Sequence, residues 1–146
     1  MKPFSLQVVL DLMRNRADEA SLRLARLIAA EHDTRAKLKM LQEYRDEYAN
    51  RFQQAAANGL SPLQWQNYQE FISRLDEAIG QKQKNVGAQE RNTAAGRMHW
   101  QQQRIKLHAF DTLSQKHHAD EVVREIKLEQ KLQDEASSRR EQKKVG

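Results

Sequence analysis

Between Ala57 and Pro62 the chain reads Asn58-Gly59-Leu60-Ser61, and nowhere else in its 146 residues does a helix stop stand directly before a helix start. Gly59 supplies the left-handed backbone that ends a helix. Ser61, Pro62 and Gln64 then supply an N-cap hydroxyl, a proline at the first helical position and a glutamine at the third, which together make a capping box. Upstream of this point the only proline is Pro3 and there is no glycine, while Ala, Leu, Arg, Glu, Gln and Lys dominate. A chain that turns once can fold into little besides a helical hairpin. The expected organisation is one all-α domain over 1–146, a two-helix antiparallel coiled coil with helix 1 at about 4–57, a turn at 58–61 and helix 2 at about 62–140. Helix 1 alone would be about 80 Å long at 1.5 Å per residue.

Apolar residues recur in steps of three and four. From Leu10 the series runs through Met13, Ala17, Ala20, Leu24 and Leu27, passes polar Glu31 and Thr34, and resumes at Leu38, Leu41, Arg45, Tyr48, Phe52 and Ala55. In helix 2 Tyr68, Ile72, Leu75, Ile79 and Val86 keep register. The pattern weakens through Gly80, Gly87 and the stretch NTAAG, and recovers at Trp100, Ile105, Leu107, Phe110 and Leu113. Since glycine within a helix costs about 1 kcal/mol relative to alanine, fraying or bending is expected near 80–97. With the turn centred between residues 59 and 60, antiparallel partners sum to about 119. Phe4 then falls opposite Gln115, and an overhang without an intrachain partner begins at about residue 116. Its unpaired amphipathic surface invites another protein.

The same arithmetic places Leu41, Tyr44 and Tyr48 beside Ala78, Leu75 and Phe71. Leu38, Phe52, Tyr68, Ile72 and Ile79 already supply the narrow stripe that a two-helix seam needs. The Tyr44 and Phe71 side is therefore extra apolar surface, either a partner site or a thickened, self-associating core.

Composition excludes several chemistries. With no cysteine there is neither a disulfide framework nor a thiolate metal site, which fits a reducing compartment. The N-terminal run is interrupted by Asp11 and makes a poor signal peptide, and no stretch approaches the roughly 18 apolar residues of a membrane span, so a soluble cytoplasmic protein is expected. The net charge of +5 concentrates in Lys82, Lys84, Arg91, Arg97, Arg104 and Lys106, and again in the tail SSRREQKKVG. Such faces suit an acidic protein surface, and without interleaved aromatic platforms they do not suggest nucleic acid. His117, His118, Asp120 and Glu121 contain an i, i+4 His/Glu pair but no third ligand fixed by spacing, and read as a solvated face. Gly80, Gly87 and Gly96 are too far apart for a phosphate loop, and carboxylates without a pocket are solubilising charges. Neither catalysis nor a cofactor is expected.

The runs FSLQVVLDL, LKMLQEYRDEY, NGLSPLQWQNYQEFISRLDEAI, RIKLHAFDTL and EIKLEQKLQDEAS together resemble the flagellar FliJ family of the type III export apparatus, most specifically from Leu38 to Ile79. The resemblance covers nearly the whole chain. It implies an antiparallel coiled coil similar to the central stalk of rotary ATPases, peripheral at the cytoplasmic face of the inner membrane through partners only. The implied partners are the hexameric export ATPase, the cytoplasmic domain of the membrane export gate and export chaperones. The implied gate-binding residues are Leu41, Tyr44, Tyr48, Phe71, Leu75 and Ala78. Two other readings stand beside the coupling stalk: an escort for export chaperones without a mechanical role, and a generic coiled-coil scaffold.

Overall fold

A computed structural model describes residues 3–145, with side chains from Leu6 to Lys144. It contains two helices, α1 (Pro3–Ala57) and α2 (Pro62–Val145), and no strand among the described residues. The fold is an all-α antiparallel hairpin of coiled-coil type.

The turn follows the local code. Gly59 takes φ 95°, and its N–H, with that of Asn58, closes α1 onto Ala56 O and Gln54 O. The capping box forms in both directions: Gln64 N–H donates to Ser61 Oγ at 3.2 Å, and Ser61 N–H donates to Gln64 Oε1 at 3.0 Å. Two of the otherwise orphaned donors at the start of α2 are thereby satisfied.

Packing divides the chain into two compact units, Asp18–Gln101 and another that joins the chain before Asp18 to the chain after Gln101. In the second of these, Leu6, Leu10, Met13 and Ala17 are buried on α1, and Arg14 lies 3.7 Å from Asp111 across the helices. On α2 the half-buried or buried positions are Gln103, Leu107, Phe110, Asp111, Ser114, His117 and Glu121, and every described side chain from Val122 to Lys144 is exposed. The expected pairing of Phe4 with Gln115 involves a side chain outside those described.

In the Asp18–Gln101 unit, each seam position expected on α1 from Ala20 to Ala55 is buried or half-buried. On α2 the matching series is Tyr68, Ile72, Leu75, Ile79, Lys82, Val86, Gln89, Thr93, Gly96 and Trp100.

Three expectations are corrected. Ile105 and Leu113 are not seam residues but are 69% and 48% exposed. Stepping by three and four from Trp100 leads through Gln103 to Leu107, and Ile105 lies about 200° away from Leu107 around the helix. The helix is also unbroken across 80–97, where Val86 and Thr93 are buried.

The glycines of this stretch are not equivalent. A Cβ on Gly80 would meet nothing within 4 Å, whereas one on Gly96 would lie 2.5 Å from Leu27 Cδ1. Gly80→Ala should therefore raise stability by up to about 1 kcal/mol, or about 3 °C in Tm. Gly96→Ala should gain less or lose stability, because Leu27 must rotate away. Thermal melts followed by circular dichroism check the order; a Gly96→Ala protein melting above Gly80→Ala would show that no close approach exists.

Candidate functional site

Next to the turn, six aromatic side chains form a continuous series of ring contacts. Trp65 packs on Phe52 with centroids 4.9 Å apart, Phe52 on Tyr68 at 5.5 Å, Tyr68 on Tyr48 at 5.4 Å, and Tyr48 on Phe71 at 4.4 Å. Tyr44 closes the series edge-on against Phe71 at 6.2 Å. Alternation between the helices follows from their antiparallel register, which brings each ring of one between rings of the other. Each such pair contributes roughly 0.5–1.5 kcal/mol beyond the area it buries. This end of the hairpin is held by aromatic packing where a usual seam has leucines.

The six residues singled out from the sequence do not form one uniform surface. Tyr44 and Ala78 are exposed, with Tyr44 at 47%, while Leu41, Tyr48 and Phe71 are half-buried. Leu75 is only 8% exposed and lies in the seam, as the helix 2 series of apolar residues has it, and not on the extra apolar side. The reason is the 3-4 alternation from Tyr68, which passes through Ile72 and Leu75 before Ile79. Tyr48 and Phe71 thus form a packed bed against which the ring of Tyr44 lies at the surface.

One neighbour was missed by the sequence reading. Met40, one turn before Tyr44, is 66% exposed, and i, i+4 spacing puts it on the same side of α1. The i, i+4 spacing to Tyr44 carries the signal, although Met40 falls outside the seam series.

The opposite side of this end is polar. Arg45 donates to both carboxylate oxygens of Asp76, at 2.9 Å and 3.5 Å, a bidentate bridge between the helices. Hydrogen bonding and charge attraction from Asp76 raise the Arg45 pKa above its usual value, so the guanidinium is always charged. One edge of the hairpin is stitched by an ion pair and the other presents an aromatic ring.

Elsewhere, His117 Nε2 lies 3.1 Å from a Glu121 carboxylate oxygen, and no group of three or more His, Asp or Glu side chains placed to hold a metal occurs among the described residues. No described helix is long and apolar enough to cross a membrane.

A model of the family described as "Flagellar FliJ protein" matches residues 1–146. The flagellar FliJ proteins of Salmonella typhi and of Escherichia coli strain K12 are each 27% identical to this chain over 135 residues, a span covering 92% of this chain and 92% of the relative. No solved structure matches.

Proposed function

Since the chain belongs to the flagellar FliJ family, we propose that it is a non-enzymatic component of the flagellar export apparatus, a coiled-coil link between the export ATPase hexamer and the cytoplasmic domain of the membrane export gate. It would promote assembly of the ATPase and export of substrates, and reach the membrane face only through its partners. The observation that carries this reading is Tyr44, an aromatic side chain held half in solvent by a packed bed of Tyr48 and Phe71. A rigid aromatic presented this way binds with little loss of side-chain entropy, which is why such residues anchor interfaces. In the proposal Tyr44 and Ala78 touch the gate, with Leu41, Tyr48, Phe71 and Leu75 supporting them from below.

The unit that contains both helix ends supports the ATPase half of the reading. Val8 and Leu12 are 50% and 44% exposed on the side of α1 away from its seam, and Ile105 is exposed on the outer side of α2. A partner that covered these residues would have to surround both helices, as the pore of a ring does. Exposed apolar side chains on opposite faces are otherwise a solubility liability.

The test is binding of Tyr44→Ala to the soluble domain of the export gate. Affinity should fall about tenfold or more, as for a central aromatic anchor. Met98→Ala removes a side chain of the same unit that is 62% exposed, and should bind as the parent does. Equal affinity of parent and Tyr44→Ala would refute the gate contact. Loss of chaperone binding with gate binding retained would favour the escort reading.

A further inference from the structure

The Asp18–Gln101 unit is closed unevenly. Towards the turn its seam is aromatic, but where α1 residues 27–38 face α2 residues 82–96 polar residues enter it: Glu31 and Thr34 hold seam positions between Leu27 and Leu38 on one helix, as Lys82, Gln89 and Thr93 do on either side of Val86 on the other. Val86 is the sole side chain of 82–96 that is both apolar and buried. Direct polar links across this stretch are few among the described residues. Thr93 Oγ1 donates to Leu27 O at 3.4 Å, and Arg35 pairs with Glu90 at the exposed edge. The Leu27 carbonyl sits within α1, where its ordinary acceptor role is to the helix itself, so the long Thr93 bond adds little.

The stretch is also flanked by open grooves. Two grooves flank the helix contact line at one height, a cleft of about 420 Å³ bordered by Arg23, Leu27, Asn92 and Gly96, and one of about 340 Å³ bordered by Glu31, Glu90, Thr93 and Met98. They lie on opposite sides of the contact, where Gly96 offers no side chain and Leu27 reaches towards it. Leu27, Leu38 and Val86 are then the main apolar groups opposing separation of the helices, less than the aromatic end has. What remains are polar groups that water satisfies equally well.

We infer that this polar stretch is a built-in opening point, at which the two helices part and re-close while the aromatic end near the turn stays shut. The property resides in the seam, not in glycine backbone freedom, because residues 27–38 contain neither Gly nor Pro yet take part. An isolated helix segment of this length is marginal in water, so parting of the helices exposes the amides of both to exchange. The device gives the hairpin a place to yield under load without releasing the surface around Tyr44.

Hydrogen–deuterium exchange with peptide-level mass spectrometry on the full chain tests this. Amides of 27–38 and of 82–96 should exchange together, about tenfold or more faster than those of 45–52 and 68–75. Thr34→Leu/Gln89→Leu, which makes the seam apolar, should slow both segments and leave the aromatic end unchanged. Circular dichroism first confirms that the variant is as helical as the parent. Fast exchange confined to α2 would point to glycine fraying and overturn the inference, as would equal exchange throughout the unit. So would a seam variant, equally helical, that exchanges as the parent does.

Discussion

Leu75→Ala should destabilise the hairpin by about 2–3 kcal/mol, the lower part of the range for a buried leucine, with a fall in Tm of roughly 10 °C. Leu75 is the most buried side chain near the turn, 8% exposed and stepped three residues from Ile72 on the contact line with α1. A two-helix seam is open at both edges, so neighbours relax into part of the cavity and the largest leucine penalties are not reached. Tyr44→Ala removes a side chain that is 47% exposed and packs edge-on against Phe71 and tilted against Tyr48, and should cost about 1 kcal/mol or less. The two substitutions therefore separate stability from recognition. Below its melting range, Leu75→Ala should retain gate binding to within a factor of a few, while Tyr44→Ala loses binding with its helicity intact. A Leu75→Ala protein that melts with the parent yet fails to bind would restore Leu75 to the partner surface and overturn its place in the seam.

The distinction between these residues marks the limit of what periodicity conveys. Steps of three and four located the α1 seam from Leu10 to Ala55, because on that helix the apolar residues themselves mark the contact line. On α2 polar residues occupy several seam positions. Gln103 is 8% exposed, with an Oε1 atom that accepts no hydrogen bond among the described residues, and Thr93 is 6% exposed. A reading that follows hydrophobicity skips such positions and settles on the nearest apolar neighbour, which is how Ile105 was placed in the seam. Supercoiling keeps every 3-4 step on the contact line whatever residue stands there.

The turn was legible for a different reason. A capping box is a matter of three or four adjacent residues, and Ser61, Pro62 and Gln64 specify it without help from tertiary packing. The aromatic series needed both kinds of information. Tyr44, Tyr48 and Phe71 could be aligned from the turn and the spacing, but the contacts of Trp65 with Phe52, and of Tyr68 with both Phe52 and Tyr48, depend on ring orientations that a linear pattern does not carry.

Ending the chain at Glu121 should leave the hairpin nearly as stable as before, with Tm changed by no more than about 2 °C, yet sharply weaken the effect on ATPase assembly proposed for it. All described side chains from Val122 onward are exposed, including Val123, Ile126, Leu128 and Leu132, so the truncation removes no seam contact. What it removes is one long unpartnered helical segment whose last turn carries Lys143 and Lys144, where positive charge is favoured by the helix dipole. Helices without tertiary packing are marginal in water, and a partner that buries Ile126 and its apolar neighbours would supply the missing stabilisation. Assembly of the ATPase, followed by light scattering and by turnover at low salt, should therefore respond to the parent and at least about tenfold less to the truncated chain. Binding of the gate domain, proposed to rest on Tyr44, should persist. If the truncated protein promotes assembly as well as the parent, the ATPase contact lies on Val8, Leu12 and the paired part of α2, and the exposed end of α2 has another partner.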